Sequence, residues 1–294
     1  MTASIPYSPY SGPVQAVILD WAGTAVDYGC MGPAAVFVNV FEKFNIRVGV
    51  ADARQFMGLE KKEHVRRMFR LPEVISQWRE KYNRLPDEDD VNLVYAQTES
   101  LMVTTIANHA DPIQGLLPFV EELRRRGIKI GSCTGYTASM MEVLVFESAK
   151  RGYTPDCIIC SSDVPAGRPY PWMCYQNAIG LQVYPLEAII KIGDTISDVQ
   201  EGLNAGMWTI GLTQSGNELG LPQDFVEALP PDDLDQRLAV IEARYHEAGA
   251  HYLVRGIWEC LPIVDEIARR LANGEHPLDR SCMSAPSTIP SAAS

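Results

Sequence analysis

Three aspartates come directly after apolar segments of the sequence. Asp20 follows the apolar residues 14–19, and Asp194 and Asp198 follow the apolar residues 189–192. A carboxylate at the end of a buried strand can attack phosphorus as a nucleophile. Three acids that face one anionic substrate would repel it unless a hard cation lies between them. The pattern therefore predicts a phosphoryl site that contains Mg²⁺.

Two further residues at predicted strand ends suit the binding of a phosphoryl group. Thr134 comes just after the apolar residues 128–132, where its hydroxyl and the neighbouring amides can bind a phosphoryl oxygen. Arg168 lies in a loop with Pro169 and Pro171, which would hold the guanidinium in place to neutralise developing charge. A lone threonine or arginine is weak evidence. Together with the aspartates, the two residues favour phosphoryl chemistry.

A second set of residues that could do chemistry lies between the first two apolar segments. Met57 and Gly58 form a predicted turn, Lys61 follows it, and His64 lies one helical turn further on the same face. A lysine amine with histidine as its proton partner suits imine formation with an aldehyde, provided that burial lowers the pKa of the amine. An imine two bonds from phosphorus can accept the electrons of a breaking carbon–phosphorus bond.

The elements that must position these residues alternate between strand and helix. The alternation predicts an α/β fold with a doubly wound parallel sheet, a short edge strand at 250–254 and a covering helix at 257–271. The predicted strands span residues 14–19, 128–132, 157–160, 189–192 and 208–212. The predicted helices span residues 119–126, 138–151, 171–179 and 199–205.

Residues 28–108 break this alternation, because they contain helical patterns and no convincing strand. We therefore predict an all-helical cap domain at 28–108, inserted into a core domain that comprises residues 1–27 and 109–272. The Pro- and Ser-rich residues 273–294 are predicted to be a disordered tail.

The composition favours a globular protein and disfavours a nucleic acid or membrane partner. The 294 residues are 46% hydrophobic and 21% charged, which is typical of a globular chain. A net charge of −12 without a long basic run disfavours a nucleic acid partner. No apolar stretch is long enough to cross a membrane, and no secretory signal precedes the first strand, so we expect a cytoplasmic protein. The seven cysteines are expected to be free thiols.

The order of these motifs resembles the haloacid dehalogenase superfamily, whose doubly wound core carries a cap that closes over the aspartate. Phosphatases of that superfamily usually have a second aspartate two residues after the nucleophile, as a general acid; here that residue is Ala22. More specifically, the chain resembles the phosphonatase family over roughly residues 14–270. The matching segments are Asp20-Trp-Ala-Gly-Thr24, Met57-Gly-Leu-x-Lys61-x-x-His64, Gly131-Ser-x-Thr-Gly-Tyr-Thr137, Asp163-Val-Pro-Ala-Gly-Arg-Pro-Tyr-Pro-Trp-Met173 and Gly193-Asp-Thr-x-Ser-Asp198.

The resemblance implies a reaction and a set of roles. The expected reaction is hydrolysis of the carbon–phosphorus bond of phosphonoacetaldehyde through a lysine Schiff base and an aspartyl phosphate, in the degradation of 2-aminoethylphosphonate. Asp20 would be the nucleophile and Lys61 the Schiff-base residue. The metal ligands would be Asp20, the Ala22 carbonyl and Asp194, with Asp198 in support. Thr134 and Arg168 would bind the phosphoryl group, and the closed site would be lined by Met57, Gly58, His64, Gly135 and Tyr136.

The resemblance also implies a homodimer joined through the cap domain. The expected contact lies in residues 28–44, whose apolar members include Met31, Val36, Phe37, Val40 and Phe41.

One departure and two other functions remain open. Glu60 stands beside Lys61 and Lys62 where the family usually has an apolar residue, so either Lys62 competes with Lys61 or Glu60 pairs with Lys62 in solvent. The chain could instead be a general Mg²⁺-dependent phosphomonoester phosphatase, which Ala22 argues against. It could also be a non-catalytic binding protein, which the complete set of charged groups argues against.

Overall fold

A computed structural model describes residues 10–279 of the chain. Most of the predicted tail, residues 280–294, lies outside the described residues. Within residues 273–279, the Pro277 carbonyl lies 2.6 Å from Nε2 of His251, and Nε of Arg270 donates to Glu275 at 2.7 Å. The beginning of the predicted tail is therefore bound to the core, and the expectation of disorder fails for these residues.

Six parallel strands form one sheet in the order β3-β2-β1-β4-β5-β6. The strands are β1 (Ala16–Leu19), β2 (Lys129–Thr134), β3 (Cys157–Cys160), β4 (Ile189–Gly193), β5 (Trp208–Leu212) and β6 (Tyr252–Val254). Every residue of β1, β4 and β5 is buried, as expected for strands that are covered on both faces. The predicted α/β fold with a doubly wound parallel sheet is confirmed, including the edge strand.

Five α-helices lie within residues 28–108, the predicted insertion after β1. They are α1 (Met31–Lys43), α2 (Val50–Arg54), α3 (Lys61–Met68), α4 (Pro72–Tyr82) and α5 (Glu88–Thr105). No strand occurs among the described residues of this insertion, in line with its all-helical sequence pattern. Asp87 caps α5 by accepting hydrogen bonds from the backbone N–H groups of Asp89 and Asp90.

Helix α1 packs inside the chain instead of offering an apolar face to a second copy. Val36, Phe37, Val40 and Phe41 are at most 2% exposed. Phe37 stacks on His64 of α3. These residues are therefore not available for the predicted dimer contact, because the inserted helices use them to build their own core.

The remaining helices cover the sheet. They are α6 (Leu116–Arg125), α7 (Ala138–Lys150), α8 (Trp172–Leu181), α9 (Ile196–Asn204), α10 (Gln223–Glu227), α11 (Pro231–Glu247) and α12 (Cys260–Ala272). The sequence analysis assigned no element to α10 or α11. Helix α11 packs on the sheet through Leu238, Ile241 and Tyr245. Within residues 10–279, no helix combines the length and apolar character that membrane crossing requires.

The strand order brings the predicted site residues together. From β1 the chain first builds outward through β2 and β3, and later through β4, β5 and β6 on the other side. Asp20 follows β1, Thr134 ends β2 and Asp194 follows β4, so all three lie at the carboxyl edge where the winding direction changes. Ligands bind at this position in open α/β sheets.

Candidate active site

A small cavity lies where the carboxyl ends of the central strands meet the loop between α2 and α3. Its volume is about 20 Å³. It is lined by Asp20, Ala22, Cys30, Pro33, Met57, Gly58, Lys61, Thr134, Gly135, Tyr136, Arg168 and Thr195. The structure thus brings most of the predicted site residues to one space. His64, Asp194 and Asp198 do not line it.

Three buried carboxylates meet beside this cavity. Oxygen atoms of Asp20, Asp194 and Asp198 all lie within 4.8 Å of one another. The Thr24 hydroxyl donates to Oδ1 of Asp194 at 2.9 Å, and the Asn217 N–H donates to Oδ2 at 2.8 Å. Burial, with the charges of Asp20 and Asp198, raises the pKa of Asp194 to about 8. A self-repelling set of oxygen donors fits a hard divalent cation such as Mg²⁺.

Gly23 lets the backbone pass close to this cluster. Its φ is +83°, and a Cβ at this position would lie 2.2 Å from Oδ2 of Asp194. A larger residue would displace the carboxylate. The turn after β1 therefore requires glycine at this position.

The beginning of α9 fixes Asp198. Thr195 caps the helix, and its hydroxyl lies 2.5 Å from Oδ2 of Asp198, whose own side chain returns to the Thr195 N–H. Burial alone would raise the pKa of Asp198, but Arg168 and Lys191 lower it below its ordinary value. Asp198 is therefore held as a carboxylate by two neighbouring cations.

Arg168 links the carboxylates to the loop after α2. Its Nη1 donates to Oδ2 of Asp20 at 3.1 Å and to the Gly58 carbonyl at 3.2 Å. Its Nε donates to Glu201 at 2.9 Å, and Nη2 donates to the Cys133 carbonyl at 3.0 Å. The guanidinium is fully buried and can bind oxygen atoms that gather around Asp20.

Lys61 presents an amine to the same cavity. Its side chain is buried, and Nζ lies 4.7 Å from the centre of the Tyr136 ring and 5.9 Å from that of Phe37. Burial lowers the pKa of Lys61 to about 8. Among residues 10–279, no carboxylate lies within ion-pair distance of this amine. A substantial fraction is therefore neutral and nucleophilic near physiological pH.

The neighbouring charges resolve the question raised by Glu60. Nζ of Lys62 lies 3.6 Å from Glu88, outside the cavity, and its side chain is 33% exposed. Glu60 lies against Gly167 in the loop that carries Arg168. Lys61, and not Lys62, therefore reaches the cavity, and no ion pair between Glu60 and Lys62 forms in the described part of the chain.

His64 is placed differently from the expectation. It is fully buried, and its ring stacks on Phe37 with centres 3.7 Å apart. Neither ring nitrogen has a side-chain hydrogen-bond partner within residues 10–279. Burial, and then the charge of Lys61, hold the pKa of His64 well below its ordinary value. In this conformation, His64 is a neutral packing residue behind the cavity wall.

Close packing joins the loop after α2 to the strand ends. Gly58 has a φ of +86°, and a Cβ there would lie 2.3 Å from Oγ of Ser197. A Cβ at Gly135 would lie 2.3 Å from the Leu59 carbonyl. Both glycines permit an approach that any side chain would prevent.

Known proteins are similar to this chain over most of its length. A haloacid dehalogenase-like hydrolase family model matches residues 14–206. The chain is 55% identical over 269 residues to a phosphonoacetaldehyde hydrolase of Syntrophobacter fumaroxidans, covering 92% of this chain and 97% of that protein. This chain belongs to the phosphonoacetaldehyde hydrolase family. The phosphonoacetaldehyde hydrolase of Bacillus cereus is 44% identical over 257 residues, covering 87% of this chain and 97% of that protein.

Solved structures agree with the membership in the phosphonoacetaldehyde hydrolase family. A phosphonoacetaldehyde hydrolase-like protein from Oleispira antarctica matches with a TM-score of 0.90 and 35% identity, covering 94% of this chain and all of that one. A β-phosphoglucomutase from Clostridium difficile matches with a TM-score of 0.60 and 16% identity, covering 87% of this chain and 98% of that one, which shows a shared fold.

Several residues beside the cavity were not predicted from the sequence. The Cys30 thiol donates to the Ala22 carbonyl at 3.1 Å and lies 3.5 Å from Oδ2 of Asp194. Lys191 of β4 and Glu201 of α9 lie beneath Arg168 and Asp198. Cys30 had no sequence signal, because it lies in an irregular turn. Lys191 did have one, since it is a single charge within an apolar strand.

Proposed function

We propose that the chain hydrolyses the carbon–phosphorus bond of phosphonoacetaldehyde to acetaldehyde and phosphate. The observation that carries this proposal is a buried lysine amine without an ion-pair partner in the described chain, opening into the same cavity as Asp20. An aspartate suits phosphoryl transfer, whereas a lysine of lowered pKa suits an aldehyde. The names of the relatives supply the substrate that contains both groups.

The first step is imine formation at Lys61. The neutral amine attacks the aldehyde carbon, water leaves, and the nitrogen of the resulting imine takes up a proton. Tyr136 and Met57 form apolar walls around Nζ and disfavour charge on the free amine. We assign His64 a supporting role, in which its stacking on Phe37 holds α3 in place.

The second step transfers the phosphoryl group to Asp20. The carboxylate attacks phosphorus, and the electrons of the carbon–phosphorus bond move into the protonated imine to give an enamine. Arg168 neutralises charge on the phosphoryl oxygens and Thr134 donates a hydrogen bond to them, because both side chains line the cavity with Asp20. Water then hydrolyses the aspartyl phosphate, and protonation and hydrolysis of the enamine release acetaldehyde and restore Lys61.

The metal site proposed for this reaction comprises Asp20, the Ala22 carbonyl and Asp194, with Asp198 in support. Bound Mg²⁺ would screen these acids from the phosphoryl oxygens and stabilise the charge that develops on them. Thr24 and Asn217 orient Asp194 through the two hydrogen bonds that it accepts.

Borohydride trapping tests the Schiff base directly. The wild-type protein should become covalently modified at Lys61 only when phosphonoacetaldehyde is present, and it should release acetaldehyde in a coupled assay that depends on Mg²⁺. Lys61→Arg should lose both the trapping and the turnover. Lys62→Arg is the matched control, because its side chain lies outside the cavity and pairs with Glu88.

Asp20→Asn separates the two halves of the reaction. It should abolish turnover and still permit trapping, because imine formation does not need the nucleophile. Full activity of Lys61→Arg would refute the mechanism. Rapid cleavage of small phosphate esters without any trapping would instead indicate a general phosphomonoester phosphatase.

We further propose the biological setting and assembly that the sequence predicts. Residues 28–108 act as a cap on a core of residues 1–27 and 109–272, and the protein degrades phosphonoacetaldehyde derived from 2-aminoethylphosphonate in the cytoplasm. A homodimer through the cap is part of this proposal, with contacts other than the buried residues of α1. Light scattering on the purified protein would measure its mass and so test the dimer.

A further inference from the structure

We propose that Glu201 is a positioning residue that orients the guanidinium of Arg168 toward Asp20. This inference deepens the proposed function and rests on it, because it concerns how the phosphoryl-binding group is held. Glu201 lies on α9, one helical turn after Asp198, and its side chain is fully buried. No step of the reaction described above uses it.

The contacts of Arg168 divide into two sets. Its Nε donates to Oε2 of Glu201 at 2.9 Å, on the side away from the nucleophile. Its two Nη groups each lie 3.1 Å from an oxygen of Asp20. Because a guanidinium is planar and its donors form a fixed fork, an acceptor at Nε sets the direction of both Nη groups. Nη2 also lies 3.0 Å from Oδ1 of Asp198 and donates to the Cys133 carbonyl, so Glu201 is the acceptor at Nε within a set that fixes the direction of Arg168.

The charges below Arg168 show that Glu201 has a specific partner. Lys191 uses Nζ mainly for Asp198, at 2.5 Å, and lies 3.8 Å from Glu201. Arg168 makes the short contact with Glu201. A buried carboxylate is costly unless it is paired and hydrogen-bonded. The pairing of Glu201 with Nε of Arg168 accounts for its presence at this position.

The neighbours of Glu201 favour a pairing with Arg168 over a metal-binding role. Cys133, Cys174 and Glu201 place ligand atoms within 4.8 Å of one another. However, Nη2 of Arg168 lies 3.3 Å from Sγ of Cys133, and Lys191 lies beside Glu201. Oε2 of Glu201 already accepts hydrogen bonds from Nε of Arg168 at 2.9 Å and from the Cys133 thiol at 3.3 Å, which accounts for this oxygen without a metal ion.

Substitution of Glu201 has two effects of opposite sign on anion binding. Loss of its negative charge makes the site more positive, which strengthens the binding of phosphate. Loss of the hydrogen bond from Nε lets the guanidinium rotate, which weakens the binding of phosphate. The positioning role predicts that the second effect wins. Glu201→Asp isolates the positioning effect, because the shorter side chain keeps the negative charge but no longer extends to Nε of Arg168.

The test measures binding of inorganic phosphate by calorimetry at saturating Mg²⁺, together with kcat and KM for phosphonoacetaldehyde. Glu201→Gln and Glu201→Asp should each weaken phosphate binding and lower kcat by about tenfold, the loss expected for one charge-assisted hydrogen bond. Borohydride trapping at Lys61 should persist in both. In an Arg168→Lys background, the Glu201 substitutions should no longer weaken phosphate binding, because the positioning effect acts through Arg168 and only the opposite effect of the charge remains.

Asp90→Asn is the control, because Asp90 is also a buried carboxylate paired with an arginine, Arg84, but it lies on α5 outside the cavity. Phosphate binding as tight as that of the wild type, or tighter, in both Glu201 variants would overturn the proposal. The proposal would also be overturned if the Glu201 substitutions weakened phosphate binding equally in the wild-type and Arg168→Lys backgrounds. Because phosphate binding is measured without phosphonoacetaldehyde, a wild-type protein that makes no acetaldehyde would refute the proposed function and leave this test intact.

Discussion

The amine of Lys61 is the group whose environment most directly shapes the proposed chemistry. An exposed lysine amine is almost fully protonated at neutral pH and cannot attack a carbonyl carbon. In this protein the Tyr136 and Phe37 rings and the surrounding backbone exclude water from Nζ. That burial, and not a neighbouring base, makes the amine reactive.

The pKa of Lys61 predicts how activity depends on pH. Burial lowers it to about 8, so the neutral fraction grows as the pH rises toward that value and levels off above it. We expect kcat/KM to rise by about tenfold per pH unit well below pH 8 and to reach a plateau above it. Steady-state rates at saturating Mg²⁺ would measure this profile. Lys62→Arg should reproduce it, and a flat profile between about pH 6 and 8 would contradict the assignment.

The sequence singled out Lys61 and Asp198 from their local motifs and other site residues from their place near strand ends, but it did not single out Lys191 or Glu201. Asp20, Thr134 and Asp194 were predictable because the carboxyl ends of parallel strands meet at one edge. Lys191 and Glu201 lie within β4 and α9, and their contact depends on how that helix packs on that strand. His64 was predicted to face the site because helical spacing shows on which face of the helix a residue lies. That spacing does not show which side chains cover the face, and here Phe37 covers His64.

At the scale of elements, α2 is tied to the core by a reciprocal pair of hydrogen bonds. Nη1 of Arg54 donates to the Asn217 side chain at 3.1 Å, and the Asn217 amide donates to the Arg54 carbonyl at 3.2 Å. The backbone N–H of Asn217 also donates to Asp194. This arrangement connects the end of α2, three residues before Met57, to the carboxylate cluster.

The connection predicts the effect of removing the Arg54 side chain. Arg54→Ala should raise KM by roughly three- to tenfold, because about one hydrogen bond that holds the loop of Met57 and Gly58 against the strand ends is lost. The exposed Arg79 of α4 provides the control, and Arg79→Ala should leave KM unchanged. An unchanged KM in Arg54→Ala would show that this contact does not hold the loop.

Most elements were predictable from apolar patterns, and α11 shows why some were not. Its buried residues Leu238, Ile241 and Tyr245 follow helical spacing, so a signal was present. The first turn, however, begins with prolines and aspartates that also suit a loop. The limits of the other helices shifted by a few residues, because caps and neighbouring loops decide where a helix ends.

For the molecule as a whole, the carboxylate cluster joins parts of the chain that are far apart in sequence. Asp20 comes from β1, while Asp194 and Asp198 come from the end of β4 and the start of α9. Their mutual repulsion, which Arg168 and Lys191 offset only in part, opposes folding when no metal ion is bound. A ligand that binds only the folded chain adds to its stability.

Mg²⁺ at a hundred times its Kd should therefore raise the free energy of unfolding of the wild-type protein by about 2.7 kcal/mol. Its melting temperature should rise accordingly. Asp194→Asn should remove this response. Without metal, that variant should be more stable than the wild type, because one of three repelling buried carboxylates is gone. Calorimetric melting with Mg²⁺ and with EDTA would measure both effects, and an undiminished Mg²⁺ response in Asp194→Asn would contradict the assigned ligand set.

The volume of the cavity, about 20 Å³, has a consequence for each turnover. A single water needs on the order of 10–15 Å³ by the same kind of measure, so neither an aldehyde nor a phosphate ion can pass through this conformation. If residues 28–108 act as the proposed cap, exchange of reactants with the solvent requires an arrangement in which the helices of residues 31–105 stand further from the sheet. In the proposed mechanism, an enamine formed while the helices are close to the sheet would meet protein groups before it meets bulk solvent.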